Sequence, residues 1–294
     1  MARILITGAT GFLGHNLLLG LKIDHEVWAG YYRNRPGVPD CNPVPLDVSE
    51  ESRVVEQMSR IRPDMVVHAA AISRPDDCER DPDVARRVIV DGTRNVARAC
   101  REAGARLAHI STDLVFDGSK GNYLEEDEVH GISVYSRAKI EAETIVRAVD
   151  ASAVILRVAV LYGAGSPAYA GYVANVLRQW GKGEPVTFYT DQYRSPTYAP
   201  QVAECVNRLL RDPEVCGILH LGGAERLSRF DFGVLLARQA GAPESLLRPG
   251  SMWDAKGAAP RGADCSLVSA KIKRLLGLEA MSCAAGLRHL FSVK

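Results

Sequence analysis

The chain has 294 residues, is 47% hydrophobic and carries a formal net charge of +1. That length and apolar content suit one large or two small globular domains with a sizeable core. The balanced charge gives no electrostatic case for nucleic acid or an acidic membrane surface as partner, and no apolar run reaches the length of a membrane span. The N-terminus, MARILITGAT, holds an apolar strand without a signal-peptide core or cleavage site, which points to the cytoplasm. Seven cysteines, at 41, 78, 100, 205, 216, 265 and 283, form no CxxC pair and no cluster of zinc spacing. They are expected to be free thiols packed as small hydrophobes, with no metal site.

In chain order, RILIT (3–7), EVWAGYY (26–32), MVVHAAA (65–71), RLAHIST (106–112) and AVILRVAVLYG (153–163) read as strands. They are short and almost continuously apolar, as strands covered on both faces must be. Helical patterns fall between them near 12–22, 50–60, 82–103 and 135–148. Such alternation implies an α/β fold with a doubly wound parallel sheet. Beyond residue 163 the pattern loosens into the Gly/Ala/Pro loop GAGSPAYAG, a helix near 171–181, a helix over 202–212 and a buried strand at GILHLGG (217–223). Residues 1–163 and 187–223 are expected to form the dinucleotide-binding Rossmann domain. Residues 164–186 and 224–294 are expected to form a smaller, mostly helical lobe over the carboxyl edge of the sheet, where ligands of open α/β sheets bind.

The first strand runs into TGATGFLG, with Gly8, Gly11 and Gly14 spaced three apart. One glycine makes the tight turn, one admits a pyrophosphate against the backbone, and one lets helix and strand pack closely. The expected cradle is Gly8, Thr10, Gly11, Phe12, Leu13 and Gly14, with the helix amides facing the phosphates. At the end of the second strand an NAD site usually carries an acid. GYYRNRPG has none; it has Arg33 and Arg35, which suit a 2′-phosphate and so NADPH, with NADH as the alternative. Asp47, with Val48 beside it, follows the short third strand and is placed to accept from an adenine amino group. A helix cap is the other reading of Asp47, although Ser49 suits that role better.

The fifth strand ends in ISTDLVFDG, which sets Ser111, Thr112 and Asp113 at its carboxyl end. VYSRAK then places Tyr135 four residues before Lys139, on one helical face. Reducing a carbonyl takes a hydride and a proton. A tyrosine can give the proton, and a nearby cation lowers its pKa from near 10 toward working pH. Lys139 is placed to do this and to bind the nicotinamide ribose, and the Thr112 hydroxyl can hold the substrate oxygen.

On these motifs the chain resembles the extended short-chain dehydrogenase/reductases. TGATGFLG, the AAA at 69–71, STD at 111–113, the Tyr135/Lys139 pair and LYG at 161–163 carry that resemblance. STDLVFDG, DQYRSPTYA (191–199) and RGADCSLVSAKI (261–272) make it similar, within that superfamily, to the dTDP-4-dehydrorhamnose reductases. The resemblance implies Thr112, Tyr135 and Lys139 as the catalytic set and Ala69, Ala70 and Ala71 against the cofactor. It implies Ser73, Ser111, Thr112, Asp113, Tyr135, Gln192 and Arg194 against a sugar nucleotide. It also implies NAD(P)H-dependent reduction of the 4-keto group of a nucleotide-linked deoxysugar, with dTDP-4-dehydrorhamnose, giving dTDP-rhamnose, as lead candidate, and a homodimer. An epimerase or dehydratase on the same fold is one alternative. A non-catalytic NADP-binding subunit, like the regulatory subunit of methionine adenosyltransferase, is another.

The chain departs from the family's pattern where sugar and base should bind. The family often has Gly at the place of Arg194, and Pro and Asp at the places of Gly262 and Val268. Val160 stands for an aromatic residue, the Asn-Phe expected after LYG is missing from AYAGYVANV, and Asp91 stands for an asparagine. Arg194 meets a diphosphate or is a surface charge. His68 and His109 read as core histidines. Asp76, Asp77, Glu79 and Asp81 read as a helix-start cluster, and residues 125–128 as a solvated acidic loop. Trp28, Trp180 and Trp253 read as packing residues, with stacking on a base as the alternative for Trp253.

Overall fold

Short apolar strands and amphipathic helices alternate to build a seven-stranded parallel sheet. A computed structural model describes residues 1–166 and 169–292. In chain order the strands are β1 (Arg3–Thr7), β2 (Glu26–Tyr31), β3 (Asn42–Pro45), β4 (Met65–His68), β5 (Arg106–Thr112), β6 (Val154–Val158) and β7 (Gly217–Leu221). Across the sheet they run β7-β6-β5-β4-β1-β2-β3. The winding reverses between β1 and β4, which opens a crevice at their carboxyl ends.

Both faces of the sheet are covered, which explains the unbroken apolar runs. Ile4 and Ile6 of β1 pack with α1 (Phe12–Leu21) and with a helix that follows the sixth strand, Pro200–Arg211. Leu5, one residue between them, points the other way and joins Val54, Met58 and Val96, which lie on α2 (Glu51–Ile61) and α3 (Gly92–Ala103). Each fully buried aliphatic side chain of this kind contributes about 1.5–3 kcal/mol. α4 (Val134–Val149) packs on α3 and leads into β6. A third cluster joins Tyr162, Val173, Trp180, Phe188, Phe232, Leu236 and Leu287 away from the sheet. It is built on helices Gly171–Trp180, Arg229–Ala240 and Cys283–Ser292 and on a parallel strand pair, Val186–Tyr189 with Leu247–Gly250. Among the described residues no helix is long and apolar enough to cross a membrane.

Three expected elements differ most in extent. The strand expected over 65–71 stops at His68, because Gly8 packs on the backbone of Ala70 and draws Ala69–Ala71 off the sheet. The run 153–163 is two strands. β6 ends at Val158, and Leu161–Tyr162 pairs instead with Thr197–Tyr198. The helix expected over 82–103 is broken by a π-helical segment at Arg86–Asp91, a wider turn that favours functional sites. Pro167 and Ala168 of the expected Gly/Ala/Pro loop, and Val293 and Lys294 of the expected C-terminal lobe, lie outside the described residues.

Candidate active site

The turn after β1 can hold no side chain at two of its glycines. Gly8 has φ +67°, and a Cβ there would sit 2.7 Å from Ala70 Cα. A Cβ on Gly14 would sit 2.6 Å from Ala9 Cα. Both neighbours are backbone and cannot swing away. Gly11 caps α1 without a side-chain acceptor, and the first turn has no acid. The leading amides of α1 therefore face outward with the positive end of the helix dipole, a place for a phosphate.

A cleft of about 1350 Å³ extends from this turn across the carboxyl ends of β1, β4 and β5. That exceeds the roughly 300–1,000 Å³ of a site for one drug-sized ligand. Its lining includes every residue expected at cofactor or substrate except Arg35, which is exposed and outside it. Arg33 is in the lining, with its guanidinium over the Tyr32 ring at 5.1 Å. Asp47 Oδ1 accepts from the Ser49 amide at 2.9 Å and its hydroxyl at 2.7 Å. Ser49 does not cap α2; Glu50 holds that position, with no side-chain cap. Trp253 is exposed and not part of the lining, while Trp180 is packed in the third cluster.

At the other end, Ser133 caps α4. Its hydroxyl accepts from the Ser136 amide at 3.1 Å, and Ser136 Oγ accepts from the Ser133 amide at 2.9 Å. This capping box fixes the helix start and with it the direction of Tyr135 in the first turn. Tyr135, Lys139 and Thr112 are all buried in the cleft wall. Burial pushes the Tyr135 phenol up, against the opposing effect of the Thr112 hydroxyl. Burial pulls Lys139 down to about 8, with Glu143 opposing.

The lowering of the Tyr135 pKa expected from a nearby Lys139 is not seen: the phenol is pushed up, and the ammonium is held by other acceptors. Lys139 Nζ donates to the Ile110 carbonyl at 2.6 Å and lies 3.1 Å from His109 Nε2. A buried ammonium needs several acceptors. β5 offers two, and a phenol on the same helix offers at most one. Thr112 Oγ1 donates to Asp113 Oδ1 at 3.1 Å and accepts from the Leu114 amide at 3.2 Å. Asp113 in turn faces Arg194 Nε at 3.4 Å.

The match to the model of the RmlD substrate binding domain family runs from residue 2 to residue 293. The chain belongs to this family. The crystal structure of a dTDP-4-dehydrorhamnose reductase from Bacillus anthracis str. Ames, in complex with NADP, superposes with a TM-score of 0.88 at 28% identity, over 100% of this chain and 99% of that one. Methionine adenosyltransferase 2 subunit beta of Xenopus laevis is 30% identical over 280 residues, 93% of this chain and 82% of the relative. The probable low-salt glycan biosynthesis reductase Agl14 of Haloferax volcanii is 32% identical over 252 residues, 85% of this chain and 84% of the relative.

Against the RmlD family pattern, the unusual Arg194 is no surface charge. It is 4% exposed, and besides Asp113 it donates to the carbonyls of Tyr193 at 2.6 Å, Gly262 at 3.0 Å and Ala263 at 3.4 Å. Gly262, where the family often has Pro, packs against the backbone of Asp117 too closely for any side chain. Ser111 lines the cleft and is also held from behind. Its hydroxyl donates to Glu143, whose carboxylate also holds Arg157. Asp76 and Asp77 do lie in the first turn of a helix, Pro75–Arg80, and Asp76 accepts from Arg261 at 2.6 Å.

Glu143, His109, Arg261 and an Arg229–Tyr172 stack at 4.2 Å were not singled out for the site from the sequence. A signal existed for two of them. Glu143 follows Lys139 by four, one further turn on the same face. His109 and Ser111 alternate onto the β5 face that meets α4. Arg229, at the start of the helix Arg229–Ala240, and Arg261, in a loop, lie far along the chain and carry no such period.

Proposed function

We propose that this protein is an NAD(P)H-dependent reductase acting on the 4-keto group of a nucleotide-linked deoxysugar, with dTDP-4-dehydrorhamnose, giving dTDP-rhamnose, as lead substrate. What carries the reading is one cleft that holds both a glycine turn fit for a pyrophosphate and the Thr112/Tyr135/Lys139 set. Residues 1–163 with 187–223 bind the dinucleotide in this account, and 164–186 with 224–294 bind the sugar nucleotide. Arg33 favours NADPH, in keeping with the NADP held by the Bacillus reductase.

A nicotinamide held in the cleft would supply the hydride for the carbonyl carbon. Tyr135 supplies the proton, which goes to the carbonyl oxygen, so that the ketone becomes an alcohol. The Thr112 hydroxyl, which donates to Asp113 in the structure, turns its proton to that oxygen to hold it by a hydrogen bond. Lys139, still mostly charged at neutral pH with a pKa of about 8, favours the phenolate left on Tyr135 through its charge, without a hydrogen bond to it. Tyr135→Phe keeps the ring and removes the proton. Turnover should fall by about 10²–10⁴-fold with NADPH binding unchanged; wild-type turnover in that variant removes Tyr135 as the donor. Steady consumption of reduced nicotinamide separates a reductase from an epimerase or dehydratase.

A second reading has its own support, the 30% identity to methionine adenosyltransferase 2 subunit beta. On that reading the cleft binds NADP and a partner protein replaces turnover. A stable stoichiometric complex with a methionine adenosyltransferase, together with no oxidation of NADPH by any 4-ketosugar, favours it.

A further inference from the structure

Two imidazoles stand side by side in the sheet beneath the cleft. His68 ends β4 and pairs in register with His109 of β5; the ring centroids are 5.3 Å apart and both residues are 1% exposed. Hydrogen bonds fix the tautomer of His68. The Thr93 hydroxyl gives its one proton to the Ile89 carbonyl, so toward His68 Nε2, at 3.1 Å, it only accepts. His68 therefore carries its proton on Nε2, and its Nδ1 accepts from the Thr7 hydroxyl at 2.7 Å. Burial first, and then the charge of Lys139, push this ring down to about 3, so it is neutral.

His109 is satisfied on one side only. Nε2 lies 3.1 Å from Lys139 Nζ, and Nδ1 is buried with no partner among the described residues. An ammonium has donors and no acceptor. A charged Lys139 thus requires a lone pair on Nε2, which places the proton of the neutral ring on the orphaned Nδ1. A buried N–H without a partner is unfavourable, and the contact to the ammonium is what offsets it. The other charged or titratable groups around the pair are few. α4 brings Glu143 and Tyr135, β6 brings Arg157 already bound to Glu143, and β4 brings neutral His68. Asp113, past the end of β5, faces Tyr135 and Arg194 instead.

We infer that His109 is a positioning residue for Lys139: its neutral Nε2 is the acceptor that sets the ammonium at the floor of the cleft and preserves the lysine's charge. The catalytic consequence, though not the contact, rests on the reductase reading above. His109 favours the charged lysine. Without it the same burial acts with less opposition, and Lys139 loses its proton at lower pH. A charge-assisted hydrogen bond of this kind corresponds to roughly one to two pH units.

The test is an NMR titration of the Lys139 side chain in the full-length protein, wild type against His109→Phe and His109→Gln. Phe keeps the ring and removes the acceptor; Gln restores an acceptor at similar reach. The Phe variant should titrate about one unit or more below wild type, and the Gln variant close to wild type. His109→Leu reports the same downward shift should Phe not fold. With a 4-ketosugar substrate, the basic limb of the kcat/KM profile should move down by the same amount in the Phe or Leu variant alone. An unchanged Lys139 titration in Phe or Leu, or equal shifts in Gln and Phe, overturns the inference. A wild-type protein that turns over no 4-ketosugar overturns only the reductase reading, since the titration still reports on His109.

Discussion

Glu143 of α4 and Arg157 of β6 form a two-point ion pair inside the protein. Arg157 Nε lies 3.0 Å from Oε1 and NH2 lies 2.7 Å from Oε2, with the side chains 5% and 3% exposed. Ser111 donates to the same carboxylate, and Arg157 lies over the Phe116 ring at 5.2 Å. The pair thus ties the helix that carries Tyr135 and Lys139 to the sheet. Removing either charge strands the other, at about 3–5 kcal/mol. Glu143→Ala and Arg157→Ala should each lower the denaturant midpoint accordingly, and a paired apolar replacement of both should recover most of the loss. Single variants with an unchanged midpoint contradict this account.

Gly14 has no room for a methyl group, since a Cβ would stand 2.6 Å from the Ala9 backbone. Gly14→Ala must push α1 away from the end of β1. That should destabilise the fold by about 1–3 kcal/mol and weaken dinucleotide binding at least tenfold. A thermal scan and a fluorescence titration with NADPH check the two effects separately.

Arg33 and Arg35 were equivalent candidates for a 2′-phosphate, but Arg33 alone lines the cleft. A charge-assisted contact is worth about 1.5–3 kcal/mol. Arg33→Ala should therefore raise the KM for NADPH roughly tenfold to a hundredfold and leave that for NADH unchanged. Arg35→Ala should alter neither. Equal effects of the two substitutions place the phosphate elsewhere.

Three histidines are buried in neutral form. Burial lowers His68 and His220 to about 3 and His109 well below its usual value. In the unfolded chain each takes a proton near pH 6.5. Between that pH and the low folded values the unfolded state binds more protons, so stability falls as pH falls. The slope is about 1.4 kcal/mol per pH unit for each ring. Unfolding free energy should therefore be nearly flat just above pH 7 and drop steeply from about pH 6 downward. Replacing His220 with Gln should flatten the drop by one ring's share. Stability that holds level to pH 4 refutes the neutral rings.

Much of the fold was legible because its signals are local. Six of the strands begin at the expected residue or within one of it, since an apolar run between turn residues marks a strand covered on both faces. Their ends were less legible. The run 153–163 has no periodicity that shows where the chain leaves the sheet; Thr197 and Tyr198, pairing with Leu161 and Tyr162 from far along the sequence, decide it. The π-helical turn at Arg86–Asp91 likewise interrupts a pattern that is smoothly helical in sequence.

For the candidate site, spacing singles out Gly8, Gly11, Gly14, Thr112, Tyr135 and Lys139, because each lies at a strand end or on one face of one helix, and the fold gathers all six at one cleft. Where Lys139 points was not in that spacing. A buried ammonium turns to whatever acceptors surround it, and those are the Ile110 carbonyl and His109 on a strand about thirty residues away. Arg194 shows the same division. Sequence marks it as out of pattern, but only the approach of Asp113 and the carbonyls of Gly262 and Ala263 makes it a buried partner in place of a free cation. Periodicity within one element is written along the chain. The company a buried charge keeps depends on which elements the fold brings together.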